Sequence, residues 1–175
     1  MKSVLISIQP KWCELIASGK KTVEVRKTKP KIETPFKCYI YCTKDDKATF
    51  FSEEVFDGEK GKWAIPHVGN GKVIGEFVCD RIINIPYIMP YDIEDTSHPM
   101  RMDFIHETCV PDWKLDEYLG RKDGYGWHIS DLVIYDKPKE LSEFKGLRKT
   151  KFGYEPIKIT RPPQSWCYVE RLKGE

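Results

Sequence analysis

The opening of the chain constrains the fold most, because it sets a strand, a short helix and a second strand within 27 residues. Ser3 to Gln9 (SVLISIQ) alternates apolar and polar residues, the pattern of a half-buried strand. Pro10 suits a first helical turn, Trp12, Leu15 and Ile16 recur at helical spacing, and Gly19 is a natural C-terminal cap. Lys21 to Lys27 (KTVEVRK) then returns to strand alternation. The helix comes back too soon for a comfortable parallel crossover, which needs about a dozen residues. It is expected to plug one end of a barrel instead.

The remaining text supports the same architecture. Phe36 to Thr43 (FKCYIYCT) is rich in β-formers, and Gly69-Asn70-Gly71 is a hairpin turn signal leading into a long strand, Lys72 to Pro86. Tyr125 to Tyr135 and Ser165 to Arg171 complete a set of about six strands. Lys44 to Gly61 reads as an exposed loop with a short helix. Residues 87–123 lack strand alternation, carry a short helix at Asp112 to Leu119 capped by Gly120, and look like an insertion beside the barrel. Many strands and few helices give an α+β chain with a small mixed β-barrel rather than a doubly wound sheet. At 175 residues, a single domain over 1–175 is expected.

Charge is segregated rather than excessive. The net charge is +2, yet Lys20 to Lys31 holds six basic residues against Glu24, and Lys145 to Arg161 holds six against Glu155. Tyr91 to Glu117 holds eight acidic residues against Arg101 and Lys114. Such patterning can place a basic face on a nearly neutral protein. The first residues have too short an apolar run for a signal peptide, no stretch reaches the roughly 18 apolar residues of a membrane span, and six scattered cysteines sit in strand-like text. These point to a cytoplasmic protein with reduced thiols.

Metal chemistry is disfavoured by spacing. Cys38 and Cys42 share a strand face about 13 Å apart, beyond chelation, and His106-x-x-Cys109 lacks a second pair. Cys13 has no visible activating base. Gly69-x-Gly71 opens no helix, so it is no dinucleotide fingerprint, and no cofactor is expected.

The chemistry gathers around Lys21. Period-2 geometry sets Thr22, Glu24 and Arg26 on one face of their strand, opposite Val23 and Val25. Arg offers a planar fork for phosphate, Lys a point charge, and a carboxylate accepts from an exocyclic amine. Trp12, Trp63, Trp127 and Trp166 are stacking candidates. Trp127 and Trp166 sit in strands and are expected in the core, whereas Trp12, on the helix, suits the cleft. His128 points to the strand face opposite Trp127 and is a further candidate for the cleft.

The run Gly19-Lys20-Lys21-Thr22-Val23-Glu24-Val25-Arg26 follows a strand and a helix, and it resembles the G-x-K-x-x-E-x-R pattern of the ASCH family. GWHISDLVIYDKPKELSEF and SWCYVE look like later strands of phage and bacterial members. The resemblance covers most of the chain, except about residues 44–62 and 87–123. It implies a PUA-like barrel with a cleft beside the first helix, and RNA or a nucleotide as the partner. Trp12, Lys21, Thr22, Glu24, Arg26 and His128 are the binding candidates. Similar proteins of one small branch are amidohydrolases that deacylate a modified cytidine with a Lys, a Thr and a Glu. Lys21 stands at the position of that Lys, and Glu24 at that of the Thr. In this alternative Lys21, Glu24 and Glu76, the last on the central strand, are the catalytic candidates. A third reading is a protein-interaction module using the acidic 87–123 segment. The oligomeric state is left open by the sequence.

Overall fold

A computed structural model describes residues 2–44, 55–57, 62–64, 69–87 and 99–172, with side chains for 2–44, 69–87 and 104–172. Twelve strands occur among these residues: β1 Lys2–Ile8, β2 Val23–Arg26, β3 Phe36–Cys42, β4 Val55–Asp57, β5 Lys62–Ala64, β6 Val73–Cys79, β7 Ile82–Ile85, β8 Gly124–His128, β9 Ser130–Lys139, β10 Lys145–Thr150, β11 Gly153–Lys158 and β12 Trp166–Glu170. Three helices join them: α1 Pro10–Ala17, α2 Pro99–Thr108 and α3 Asp112–Leu119. The result is the expected α+β, PUA-like arrangement. Its backbone-paired strands form three sheets that do not close into one barrel: β11-β10-β12-β1-β3-β6-β9, β2-β8-β7 and the pair β4-β5.

The two larger sheets are joined by chains that cross from one to the other. Lys72–Pro86 and Tyr125–Tyr135, each expected as one long strand, are divided at a corner. Asp80 and Arg81 separate β6 from β7, and Ile129 separates β8 from β9. Ahead of that corner the pairing of β6 with β9 shifts register at Val73/Gly75 and at Glu76/Val78. Gly75 lies there because a Cβ would meet the Val133 carbonyl oxygen at 2.4 Å. His128 clips the two corners together: its backbone N–H donates to the Arg81 carbonyl (3.1 Å), and its Nδ1 lies 2.6 Å from Asp80 Oδ1.

The early helix does not serve a β1-to-β2 crossover, because β2 belongs to the other sheet. The parallel partner of β1 is β3, and residues 9–35 make the connection. Val4, Ile6 and Ile8 of β1 pack with Cys13 and Ile16 of α1, with Cys38 and Ile40 of β3, and with Trp127 of β8. Trp127 has no exposed surface and touches Phe36 and Trp166 edge-on or tilted, so it is core, as expected. Removing such a ring costs about 3–5 kcal/mol. The alternation of β1 suggested one buried face, yet both are covered. Leu5 packs with Tyr39, Val73, Phe144 and Val169 on the second face. The hairpin β10–β11, absent from the strand expectations, forms from text with little apolar alternation (KGLRKT). Gly69–Gly71 does turn the chain into β6, but β6 pairs with β3 and β9.

The described part of the insertion, from Phe104 onward, packs against the fold. Phe104 of α2 and Leu115 and Leu119 of α3 join Val110 against Val23 and Val25 of β2. Two glycines of β8 make room for these helices. A Cβ on Gly126 would meet Phe104 Cζ at 2.5 Å, and one on Gly124 would meet Leu119 Cδ2 at 2.5 Å.

Candidate functional site

Gly19 takes φ +73° and turns the chain back beneath α1, where the Lys21 N–H donates to the Leu15 carbonyl (3.0 Å). Thr22 is then fixed on both sides: its N–H donates to the Glu107 carbonyl and its carbonyl accepts from the Ile129 N–H. Lys21 therefore precedes β2 instead of starting it, and its side chain enters the protein.

Lys21, Glu24 and Arg26 converge there. One Glu24 carboxylate oxygen lies 3.4 Å from Lys21 Nζ and the other 3.2 Å from Arg26 Nη2. The three residues are 2%, 6% and 8% exposed, so this is a buried ionic triad and not a surface pair. Two backbone carbonyls anchor the cations: Lys21 Nζ donates to Thr108 O, and Arg26 Nη2 donates to Ser7 O, both at 2.6 Å. Arg26 Nε is buried without a partner among the described residues. Burial pushes the Lys21 ammonium below the 10.5 of an exposed lysine, while the Glu24 carboxylate opposes that shift.

The triad floors a pocket of about 380 Å³. Trp12 of α1 lines it, as do Lys114 and Tyr118 of α3 and the chain at Gln164 and Ser165. Three ammonium groups, those of Lys11, Lys21 and Lys114, lie 5.0, 5.3 and 5.8 Å from the Trp12 ring. Lys27 sits 5.2 Å from the Tyr118 ring. Among the charged lining residues, Lys21, Arg26 and Lys114 stand against Glu24, leaving the pocket cationic.

Four of the sequence candidates thus meet at one concavity: Trp12, Lys21, Glu24 and Arg26. Three do not. Thr22 contributes backbone hydrogen bonds beside the pocket. His128 lies at the sheet corner with Asp80. Glu76 pairs across from Tyr39, on the far side of the large sheet, where it contacts Lys37 and accepts from Tyr135 Oη (2.6 Å). Strand alternation gave Glu76 no face relative to a cleft made by another sheet. Trp166 is half-buried, with Nε1 donating to Thr28 Oγ1, and the side chain of Trp63 lies outside the described residues. Lys114 and Tyr118 were missed. Their i, i+4 spacing on a predicted helix was the available signal, obscured by the acidic residues around them.

The six cysteines are free thiols, four of them buried. Burial pushes Cys79 up to about 12 and Cys167 up to about 11. Among the described residues no three His, Cys, Asp or Glu side chains gather as a metal site, and no helix is long and apolar enough to cross a membrane.

A mixed sheet scaffold with a helix-walled, cationic, aromatic-lined pocket defines a PUA-like α+β domain. The ASCH domain model matches residues 6–163, and the chain belongs to that family. The crystal structure of the ASCH protein from Zymomonas mobilis is similar over 97% of this chain and 88% of its own, with a TM-score of 0.53 and 18% identity. A tyrosine-to-phenylalanine variant of that protein is similar over 98% and 92%, again with a TM-score of 0.53 and 18% identity. At that identity the likeness shows the fold alone. No curated protein matches the sequence significantly.

Proposed function

We propose that this protein binds RNA, or a nucleotide, by taking one nucleotide unit into the pocket above Lys21, Glu24 and Arg26. The observation that carries the reading is the conjunction of buried cations on the floor with Trp12 and Tyr118 on the walls. Phosphate would meet Lys114 on the wall and the N–H groups that Lys21 and Arg26 do not spend on Glu24, Thr108 and Ser7, and an aromatic face accepts a base of any sequence. Glu24 spends one contact per oxygen on its cations, and each oxygen retains capacity to accept from an exocyclic amine. RNA binding is also the role ascribed to the ASCH family. In this reading 1–175 acts as a single domain.

Fluorescence titration with nucleoside monophosphates and with single-stranded RNA tests it. Binding should weaken with salt, and Lys114→Ala should weaken it further. A wild-type protein that retains neither ligand at low salt would refute the proposal.

The depressed Lys21 amine favours a second reading, an amidohydrolase acting on an acylated cytidine. There the neutral Lys21 amine would take a proton from the attacking water and pass it to the Glu24 carboxylate, which would deliver it to the leaving amine as the C–N bond breaks. Glu76, on the other face, has no part in it. Release of acetate from acetylated cytidine, lost in Lys21→Ala, is the discriminating assay. The packing of α2 and α3 against β2 weighs against the acidic segment as a free protein-docking surface.

A further inference from the structure

Gln164 lines the pocket and also a second cleft of about 570 Å³. This cleft opens because β10 meets β12 at a single residue pair, Gly146 with Val169, and then runs on with β11. The large sheet splays, leaving a trough between Leu147, Ile157 and Lys158 on one side and Tyr168 and Arg161 on the other. The partition between the two cavities is the chain at Pro163 to Ser165. Ser7, almost fully buried, holds it: its hydroxyl donates to Pro163 O (2.6 Å), and its N–H donates to Ser165 O (2.9 Å). The carbonyl of the same serine accepts from Arg26 on the pocket floor. The two cavities therefore share a wall that is fastened to the ionic triad.

Beyond the trough, the β10–β11 hairpin is basic and carries an exposed aromatic ring at its tip. From Lys145 to Arg161 six basic residues are exposed against Glu155, which already lies 3.5 Å from Arg148. Phe152, at the β10–β11 tip, is 95% exposed. Its position is built in. The Thr150 hydroxyl accepts from the Phe152 N–H and donates to the Gly153 carbonyl, both at 3.3 Å, and Gly153 takes φ +131°. Four residues of strand set the tip about 13 Å beyond Gly146. A large aromatic ring is thus held outside the core, directly after exposed Lys151 in the chain. Cations along a path with a free π-face at its end match a single strand of nucleic acid, whose phosphates follow the charge and whose bases stack.

We infer that the trough and the β10–β11 hairpin form a second nucleic-acid subsite, which receives the RNA nucleotides flanking the one held in the pocket. The inference rests on the pocket reading and extends it from a nucleotide to a strand. Lys158 and Arg161 meet phosphates, and Phe152 stacks on a base.

The test compares wild type, Lys158→Ala/Arg161→Ala and Phe152→Ala with nucleoside monophosphates and with a single-stranded oligoribonucleotide of mixed sequence. Monophosphate affinity should be unchanged in both variants. The double variant should lose about tenfold in oligonucleotide affinity, and its log–log salt slope should fall by about 1.4, or 0.7 per lost phosphate contact. Phe152→Ala should weaken the oligonucleotide at least about fivefold, the low end of a lost base stack. Oligonucleotide affinity equal to wild type in both variants would overturn the inference, and so would a wild type that holds the oligonucleotide no better than a monophosphate. Polyglutamate that displaces RNA and shows the same variant sensitivity would overturn it in favour of an acidic protein partner. Failure of the pocket reading looks different: the oligonucleotide would bind, but Lys114→Ala and Trp12→Ala would leave that binding untouched.

Discussion

Glu24→Gln tests the ionic triad most directly, because it removes the carboxylate charge that two buried cations share while nearly preserving shape. At an effective dielectric of 20, contacts of 3.4 and 3.2 Å are each worth about 5 kcal/mol of gross Coulomb energy. Release of the carboxylate's own desolvation penalty, several kcal/mol, offsets part of that loss. The net expectation is a destabilisation of about 3–5 kcal/mol, or about 6–20 °C in Tm for a chain of this size. The assay is urea unfolding at matched m-value, repeated as pH rises. Lys21 sharpens the test. Its folded-state pKa lies below the unfolded 10.5, so its charge costs stability below the folded value, and stability is regained as pH climbs from that value to 10.5. Without Glu24 the folded value drops further, so the variant should begin regaining stability at a lower pH than wild type. The deficit should therefore shrink with rising pH. A deficit below about 1 kcal/mol at neutral pH, the range of exposed pairs, would show that the triad is solvated and refute the reasoning. So would a deficit that stays flat with pH.

Lys114→Ala, on the half-buried rim, should reduce the salt slope of single-stranded RNA binding by about 0.7 with Tm unchanged, read by anisotropy across a salt series. Trp12→Ala should weaken nucleotide binding about 5- to 150-fold, the equivalent of about 1–3 kcal/mol of stacking, with Trp12→Phe recovering most of it in the same titration. Gly126→Ala should destabilise the fold by about 1–3 kcal/mol in thermal melts, because its Cβ has no room beside Phe104 and Val23.

The sequence by itself determined the local units. Alternation located β1, β3 and β12. Pro10 and Gly19 bounded α1, and Gly120 closed α3 in the left-handed conformation. The run from Gly19 to Arg26 marked the candidate pocket, because a turn, a lysine and a short strand are local events fixed by backbone sterics and side-chain period. What tertiary structure decided was which faces meet. Strand period says that Glu24 and Arg26 point one way and Glu76 has a face, but not that a corner sends β8 into one sheet and β9 into the other. His128 and Glu76 were consequently carried away from the pocket. The long strands were divided at Asp80–Arg81 and at Ile129, and the pairing of β6 with β9 ahead of that corner shifts register at Val73/Gly75 and Glu76/Val78, where Gly75 admits a carbonyl that a side chain would clash with. The acidic insertion supplied Lys114 and Tyr118 to the wall because its apolar stripe, Leu115 and Leu119, had β2 to cover. Burial of Lys21 is likewise non-local, since α1 and the end of α2 enclose an ammonium that the sequence alone would leave in water.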